Sequence, residues 1–166
     1  MTGVPLPLLT PRCILDRIIG DDRDAVAALL VDPRVWRYLG GPKARARTDT
    51  IFDAYVRDSA RGRVWAVRQR GEARLAGVLF LHDHHDGDDT EVSYLLSPAY
   101  WGRGYATEAV GALLVHAERQ LGLSRVVAET QSANLASRRV LEKVGMKPER
   151  RLIRFGQEQM IYALER

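Results

Sequence analysis

Apolar positions along the chain switch between the period of a strand and the period of a helix, and the switches mark out its elements. Arg12 to Ile18 reads as an opening strand. Asp21 and Asp24 can cap a helix with Ala25, Val26, Leu29 and Leu30 on its apolar face, and Pro33 ends it. A second helix occupies much of Ala44 to Ala60, where Ile51, Phe52, Tyr55 and Val56 share a face and Gly62 closes the element. Arg63 to Arg68, Leu75 to His82 and Thr90 to Leu96 then form three strands of an antiparallel meander. From Ala106 the apolar residues fall at Ala109, Val110, Leu113, Leu114, Ala117 and Leu121, one face of a longer helix. The crossover through that helix returns Arg125 to Glu129 as a strand parallel to Val92 to Leu96. Leu135 to Val144 is a last helix, capped by Gly145, and Arg151 to Phe155 and Glu158 to Leu164 form a hairpin turning at Gly156-Gln157.

The junction between Leu96 and the long helix carries the first chemical signal. Pro98 stops the strand, and Trp101-Gly102-Arg103-Gly104-Tyr105-Ala106 leads into the helix. Two glycines one residue apart let the backbone take positive φ and leave no Cβ in the way of a ligand, so successive N–H groups can converge on one anion. The helix N-terminus favours the same charge. No Lys-Ser or Lys-Thr follows the last glycine, as a triphosphate-binding loop would require, and no third glycine completes a dinucleotide fingerprint. An ordinary tight turn remains the plain alternative.

The junction resembles the pyrophosphate loop of the GNAT N-acetyltransferases, Gln/Arg-x-x-Gly-x-Gly/Ala, with Gly104 and Ala106 in its last two fixed places and Trp101 where Gln or Arg is usual. Asn134 to Met146 resembles the N-x-x-S-x-x-x-x-x-K-x-G-F segment of the same superfamily, with Met146 in place of Phe. Leu9 to Leu15 and Asp32 to Leu39 are similar to the opening of its branch of ribosomal-protein N-terminal acetyltransferases. The resemblance covers nearly the whole chain. It implies an α/β (α+β) GNAT fold: a mixed, mostly antiparallel central sheet of six to seven strands, helices on both faces, and two parallel strands splayed around the cofactor.

Composition agrees with a single domain over residues 1–166. The chain is 46% hydrophobic and 28% charged, with no apolar run near twenty residues and no leader pattern, so a cytoplasmic protein without membrane insertion is expected. Its one cysteine, Cys13, excludes an internal disulfide and reads as a buried, inert thiol. A formal net charge of +4 favours anionic partners. Coenzyme A is one such partner. Nucleic acid has no support beyond charge, since no basic stripe interleaved with aromatics is present. Self-association is left open. His82-Asp83-His84-His85-Asp86-Gly87-Asp88-Asp89 holds three histidines among four aspartates and offers donors to a divalent metal, yet it equally makes an ordinary hairpin loop. The expectation is that no metal takes part.

The resemblance implies acetyl transfer from acetyl-CoA to a primary amine by direct attack in a ternary complex. The cofactor would be bound by the backbone of Tyr94, Leu95 and Leu96 and by Trp101, Gly102, Arg103, Gly104, Tyr105 and Ala106. Asn134, Arg138, Arg139 and Lys143 on the following helix are candidates for its phosphates. Glu91, at the start of the splayed strand, is the candidate base for the amine, and Ser137 the candidate proton donor to the leaving thiolate. Asn134 and Ser137 equally make a helix cap. Trp36 and Tyr38, with Leu39, are candidates for the acceptor wall, or for packing between helices. The acceptor is an amine, with a protein or peptide N-terminus leading and a small-molecule amine as alternative. A non-catalytic acyl-CoA-binding regulatory module is the reading from a different class.

Overall fold

A computed structural model describes residues 7–165. The strands are β1 (Leu8–Leu9), β2 (Cys13–Asp16), β3 (Val64–Gln69), β4 (Leu75–Asp83), β5 (Thr90–Leu96), β6 (Arg125–Gln131), β7 (Lys147–Arg154) and β8 (Gln157–Glu165). The helices are α1 (Arg23–Val31), α2 (Thr48–Ala60), α3 (Tyr105–Arg119) and α4 (Leu135–Lys143). All eight strands form one sheet in the order β1-β2-β3-β4-β5-β6-β8-β7. The periodic pattern yields seven of them; the extra one, Leu8–Leu9, is a two-residue edge strand too short to show a period.

Both faces of the sheet are covered, which is why β3 and β4 read as nearly continuous apolar runs. One core joins α3 and α4 to the sheet through Leu113, Leu114, Val110 and Leu141, with Val92, Leu96, Val126 and Ala128 beneath. The opposite core joins α1 and α2 through Val26, Leu30 and Phe52, with Val78 and Leu95 beneath. Inter-element bonds then lock the meander: Arg68 of β3 is buried, and its guanidinium donates to both oxygens of buried Asp22 at 2.7 Å.

One pairing positions the site. β5 and β6 are parallel, but only Thr90↔Val126 and Glu91↔Val127 are in register. Beyond them the strands separate, each still bonded on its other side, β5 to β4 and β6 to β8. The sheet therefore contains a fork whose inner edges carry unpaired backbone groups. At the far end, the β7–β8 hairpin turns at Phe155-Gly156, one residue earlier than its pattern indicates; both residues have positive φ, +55° and +72°, as the favoured two-residue hairpin turn demands.

Candidate active site

The junction after β5 has the geometry its glycines permit. Gly102 and Gly104 adopt φ of +69° and +82°, and α3 begins at Tyr105. The first amides of α3 have no partners within the helix and open toward the loop. The Trp101 indole N–H donates to the Leu96 carbonyl at 2.8 Å, tying the loop back to the end of β5. Arg12, just ahead of β2, braces it from outside: its Nε donates to Glu108 and its terminal nitrogen to the Arg103 carbonyl, both at 2.8 Å. The guanidinium also lies 4.7 Å from the centre of the Tyr105 ring. Burial alone would raise the Glu108 carboxyl. The Thr10 hydroxyl, the Arg12 amide and the Arg12 guanidinium outweigh it and bring it down to about 2.

A cleft of about 610 Å³ runs from this loop into the fork. Its walls come from β5 (Val92 to Leu96), β6 (Ala128 to Thr130), the start of α3, one side of α4 and the segment after α1 (Arg34, Val35, Arg37, Tyr38, Leu39). Strand alternation divides the chemistry between the two faces of the sheet. Val92, Tyr94 and Leu96 face α3 and α4. There the half-buried Tyr94 hydroxyl donates to Ser137 Oγ at 3.3 Å, and desolvation pushes its phenol pKa up. Ser137 also donates its backbone N–H to Asn134 Oδ1 at 3.2 Å, so Asn134 caps α4 and sets the hydroxyl at the cleft wall.

The opposite face carries carboxylates. Val126 and Ala128 pack toward α3 and α4, so Val127 and Glu129 point away from them, as do Glu91 and Ser93 of β5. Glu91 is 5% exposed. Burial pushes its carboxyl up, against the opposing pull of His82 and His84. One of its oxygens accepts the Glu129 N–H at 3.4 Å; the other has no hydrogen-bond partner among the described residues. Glu129 lines the cleft, accepting from His84 Nε2 at 3.0 Å and from Arg154 Nε at 2.9 Å.

The cleft gathers Tyr94, Leu95, Leu96, Trp101, Gly102, Gly104, Tyr105, Ala106, Asn134, Ser137, Arg139, Lys143 and Tyr38. Four residues singled out by sequence lie elsewhere. Glu91 sits behind Glu129, at the closed end of the fork. Trp36 is buried among α1 and α2, its indole bonded to the Leu29 carbonyl at 2.9 Å and capped by Lys43 at 4.2 Å, which is a packing position. Arg138 is engaged by the Tyr162 hydroxyl and the Ser132 carbonyl, both at 3.2 Å. Arg103 lies outside the wall, beside the Tyr105 ring. Sequence reasoning missed Glu129, whose one signal is a carboxylate directly after the apolar run Val126 to Ala128, and the Arg12 brace, which has no local signal. Among the described residues no group of three or more His, Cys, Asp or Glu is arranged to hold a metal ion.

A positive-φ glycine loop opening a helix beside two splayed parallel strands is the arrangement in which a pantetheine chain and its pyrophosphate would fit. Residues 12–147 match the family described as Acetyltransferase (GNAT) domain. The chain belongs to the GNAT acetyltransferase family. As a GNAT enzyme it is an acetyl-CoA-dependent acyltransferase. It is 30% identical over 150 residues to the uncharacterized N-acetyltransferase YoaA of Bacillus subtilis, covering 86% of this chain and 84% of that one. A GNAT acetyltransferase from Bacillus anthracis superimposes with a TM-score of 0.85 at 25% identity, over 96% of this chain and 98% of the other. RimL, a ribosomal L7/L12 α-N-protein acetyltransferase solved with coenzyme A, shares the fold with a TM-score of 0.77 at 18% identity, over 98% and 97% of the two chains. No helix among the described residues of this GNAT domain is long and apolar enough to cross a membrane.

Proposed function

We propose that the protein transfers the acetyl group of acetyl-CoA to a primary amine by direct attack, with the donor on the α3/α4 side of the fork and the acceptor entering from the α1/α2 side. The observation that carries this reading is the division of polar groups between the two faces: a hydroxyl pair, Tyr94 and Ser137, on one, and a cleft-lining carboxylate, Glu129, on the other. An acetyl transfer needs a proton removed from nitrogen and a proton supplied near sulfur, at opposite ends of one reaction centre.

Glu129 takes the base role in this reading, in place of Glu91. It reaches the cleft, whereas Glu91 lies behind it with a carboxyl that burial pushes toward the neutral form. An ionised carboxylate has about four lone-pair sites, and His84 and Arg154 occupy two of them. The rest can receive the ammonium and its proton, directly or through water. A peptide α-amine, with a reference pKa of about 8, asks less of such a base than a lysine at about 10.4. As the amine nitrogen bonds to the acetyl carbon and the C–S bond breaks, a main-chain N–H at the free edge of β5 steadies the oxyanion. Ser137, whose oxygen accepts from Tyr94, directs its own hydrogen toward the departing sulfur.

The GNAT loop from Gly102 to Ala106 would take the pyrophosphate, with Arg139 and Lys143 on α4 available to the outer phosphate. A protein or peptide N-terminus is the leading acceptor class, supported by the fold shared with RimL and by the modest base requirement. The test is thiol release from acetyl-CoA against a panel of peptides and small amines, with mass spectrometry of the product. Glu129→Gln is expected to lower kcat by about 100-fold or more, Ser137→Ala by less. Full turnover in Glu129→Gln would remove the assigned base, and acetyl-CoA binding without transfer to any amine would favour a regulatory module.

A further inference from the structure

In the histidine- and aspartate-rich loop between β4 and β5, His85 to Asp88 are exposed but His84 turns inward. His84 is buried, 5% exposed, and its ring enters the closed end of the fork rather than facing water. Its Nδ1 accepts the Asp86 backbone N–H at 3.2 Å. That bond requires a bare nitrogen, so the ring proton sits on Nε2. Nε2 points at Glu129 Oε2, 3.0 Å away, with Glu91 behind at 3.9 Å.

The other Glu129 oxygen is fixed by a different element. Arg154 of β7 donates through Nε to Glu129 Oε1 at 2.9 Å, and through a terminal nitrogen to Asp86 at 2.5 Å. Asp86 in turn sets the His84 tautomer. The four residues close a ring: Glu129 to His84, His84 to Asp86, Asp86 to Arg154, Arg154 to Glu129. Each carboxylate oxygen of Glu129 therefore has its own donor, His84 on Oε2 and Arg154 on Oε1, and the pair restrains how the carboxylate can turn.

We propose that His84 is a positioning residue for the acceptor-side base: its Nε2–H holds the Glu129 carboxylate in the plane from which it meets the amine. The proposal rests on the reading of Glu129 as that base. It also gives the β4–β5 loop a role in this chain distinct from metal binding, because the ring nitrogen that a metal would take at the fork is already committed to Glu129.

The experiment compares His84→Ala, His84→Gln, Glu129→Gln and the His84→Ala/Glu129→Gln double variant in steady-state kinetics on one identified acceptor. Glutamine can present an N–H near the position of Nε2. His84→Ala is expected to lower kcat by about 10- to 100-fold, part of a general base's usual contribution, with KM for acetyl-CoA within about twofold of the parent. His84→Gln should recover most of that loss, and the double variant should be no slower than Glu129→Gln, because residues acting as one unit are not additive. If Glu129→Gln keeps full turnover, the base assignment itself fails. If Glu129→Gln is slow but His84→Ala turns over normally, or His84→Gln is as slow as His84→Ala, or the two losses multiply, the positioning role is overturned while the base stands. Binding of coenzyme A by each variant reports that the fold is intact.

Discussion

Gly77 is the residue on which the shape of the fork depends most directly. It lies in β4 opposite Leu96, and its backbone is ordinary, so its requirement is one of space. A Cβ there would sit 2.4 Å from the Leu95 carbonyl oxygen, 2.8 Å from Leu96 Cδ1 and 3.1 Å from Leu96 Cα, where ordinary contact begins at 3.4 Å. The leucine tip can rotate away; the carbonyl and the Cα belong to the main chain of β5 and cannot. Gly77→Ala must therefore push β5 by about 1 Å. Over Val92 to Leu96 the other side of β5 is the open slot, so the displacement narrows the cleft. Overpacking of this kind costs about 1–3 kcal/mol. At about 2–4 °C per kcal/mol for a chain of this size, the unfolding midpoint should drop by about 2–12 °C. A shift of about 1 Å at the slot also lowers turnover, by up to about 100-fold. Gly111 in α3 is the matched control: a Cβ there meets Val144 Cγ1 at an ordinary 3.7 Å. Gly111→Ala should raise stability by about 0.5–1 kcal/mol. Calorimetric melting of both variants with acetyl-CoA titrations decides the matter. A Gly77→Ala protein that melts with the parent and binds acetyl-CoA as well, or a Gly111→Ala protein destabilised as much as Gly77→Ala, would refute the spatial argument.

Asp22→Ala leaves the buried Arg68 guanidinium without its carboxylate and should cost about 3–5 kcal/mol in urea unfolding with the slope unchanged. Glu108, held at about 2 against an ordinary 4.5, contributes stability that is complete above 4.5 and is lost as the pH falls toward 2; Glu108→Gln should flatten that acid limb of the melting curve. Arg37 lines the cleft on the side assigned to the acceptor, its guanidinium over the Tyr38 ring, and among the described residues no carboxylate forms an ion pair with it; Arg37→Glu should therefore raise KM for acceptors with an acidic second residue and lower it for basic ones, an exchange that added salt should reduce.

Periodicity carried the elements because both faces of the sheet are packed: Ala109, Val110, Leu113, Leu114 and Ala117 of α3 meet one core, while Leu121, at the same spacing, lies past the end of the helix and is exposed, and the two loop glycines announce their positive φ by their spacing. What it could not carry depends on pairs far apart in the chain. Glu91 and Glu129 both look like charges at a strand, and only the point where β5 and β6 part decides which of them reaches the cleft. His84 belongs to a stretch with every mark of a solvated hairpin loop, and its inward turn follows from a carboxylate 45 residues later. The Arg12 brace closes on Glu108 across 96 residues. Trp36 misleads for the opposite reason: an aromatic after a helix signals a pocket wall and a packing residue equally well, and here the ring's own N–H is bonded inside the α1/α2 core.

The fork gives a direct way to tell binding in the slot from binding anywhere else. Parallel strands that part after Glu91 and Val127 leave the inner amides and carbonyls of Val92 to Leu96 without a strand partner, whereas the outer ones bond to β4. In a packed sheet such groups are normally satisfied, so a ligand that runs as a surrogate strand gains hydrogen bonds the empty protein lacks. At about 100 times its Kd, coenzyme A should add about 2.7 kcal/mol of stability, raising the midpoint by about 5–11 °C. Any tight ligand would do that. Amide hydrogen exchange separates the cases: on addition of coenzyme A the inward-facing amides between Val92 and Leu96 should slow, while their outward-facing neighbours, already bonded to β4, change little. Thermal stabilisation with uniform exchange along β5 would place the ligand outside the fork.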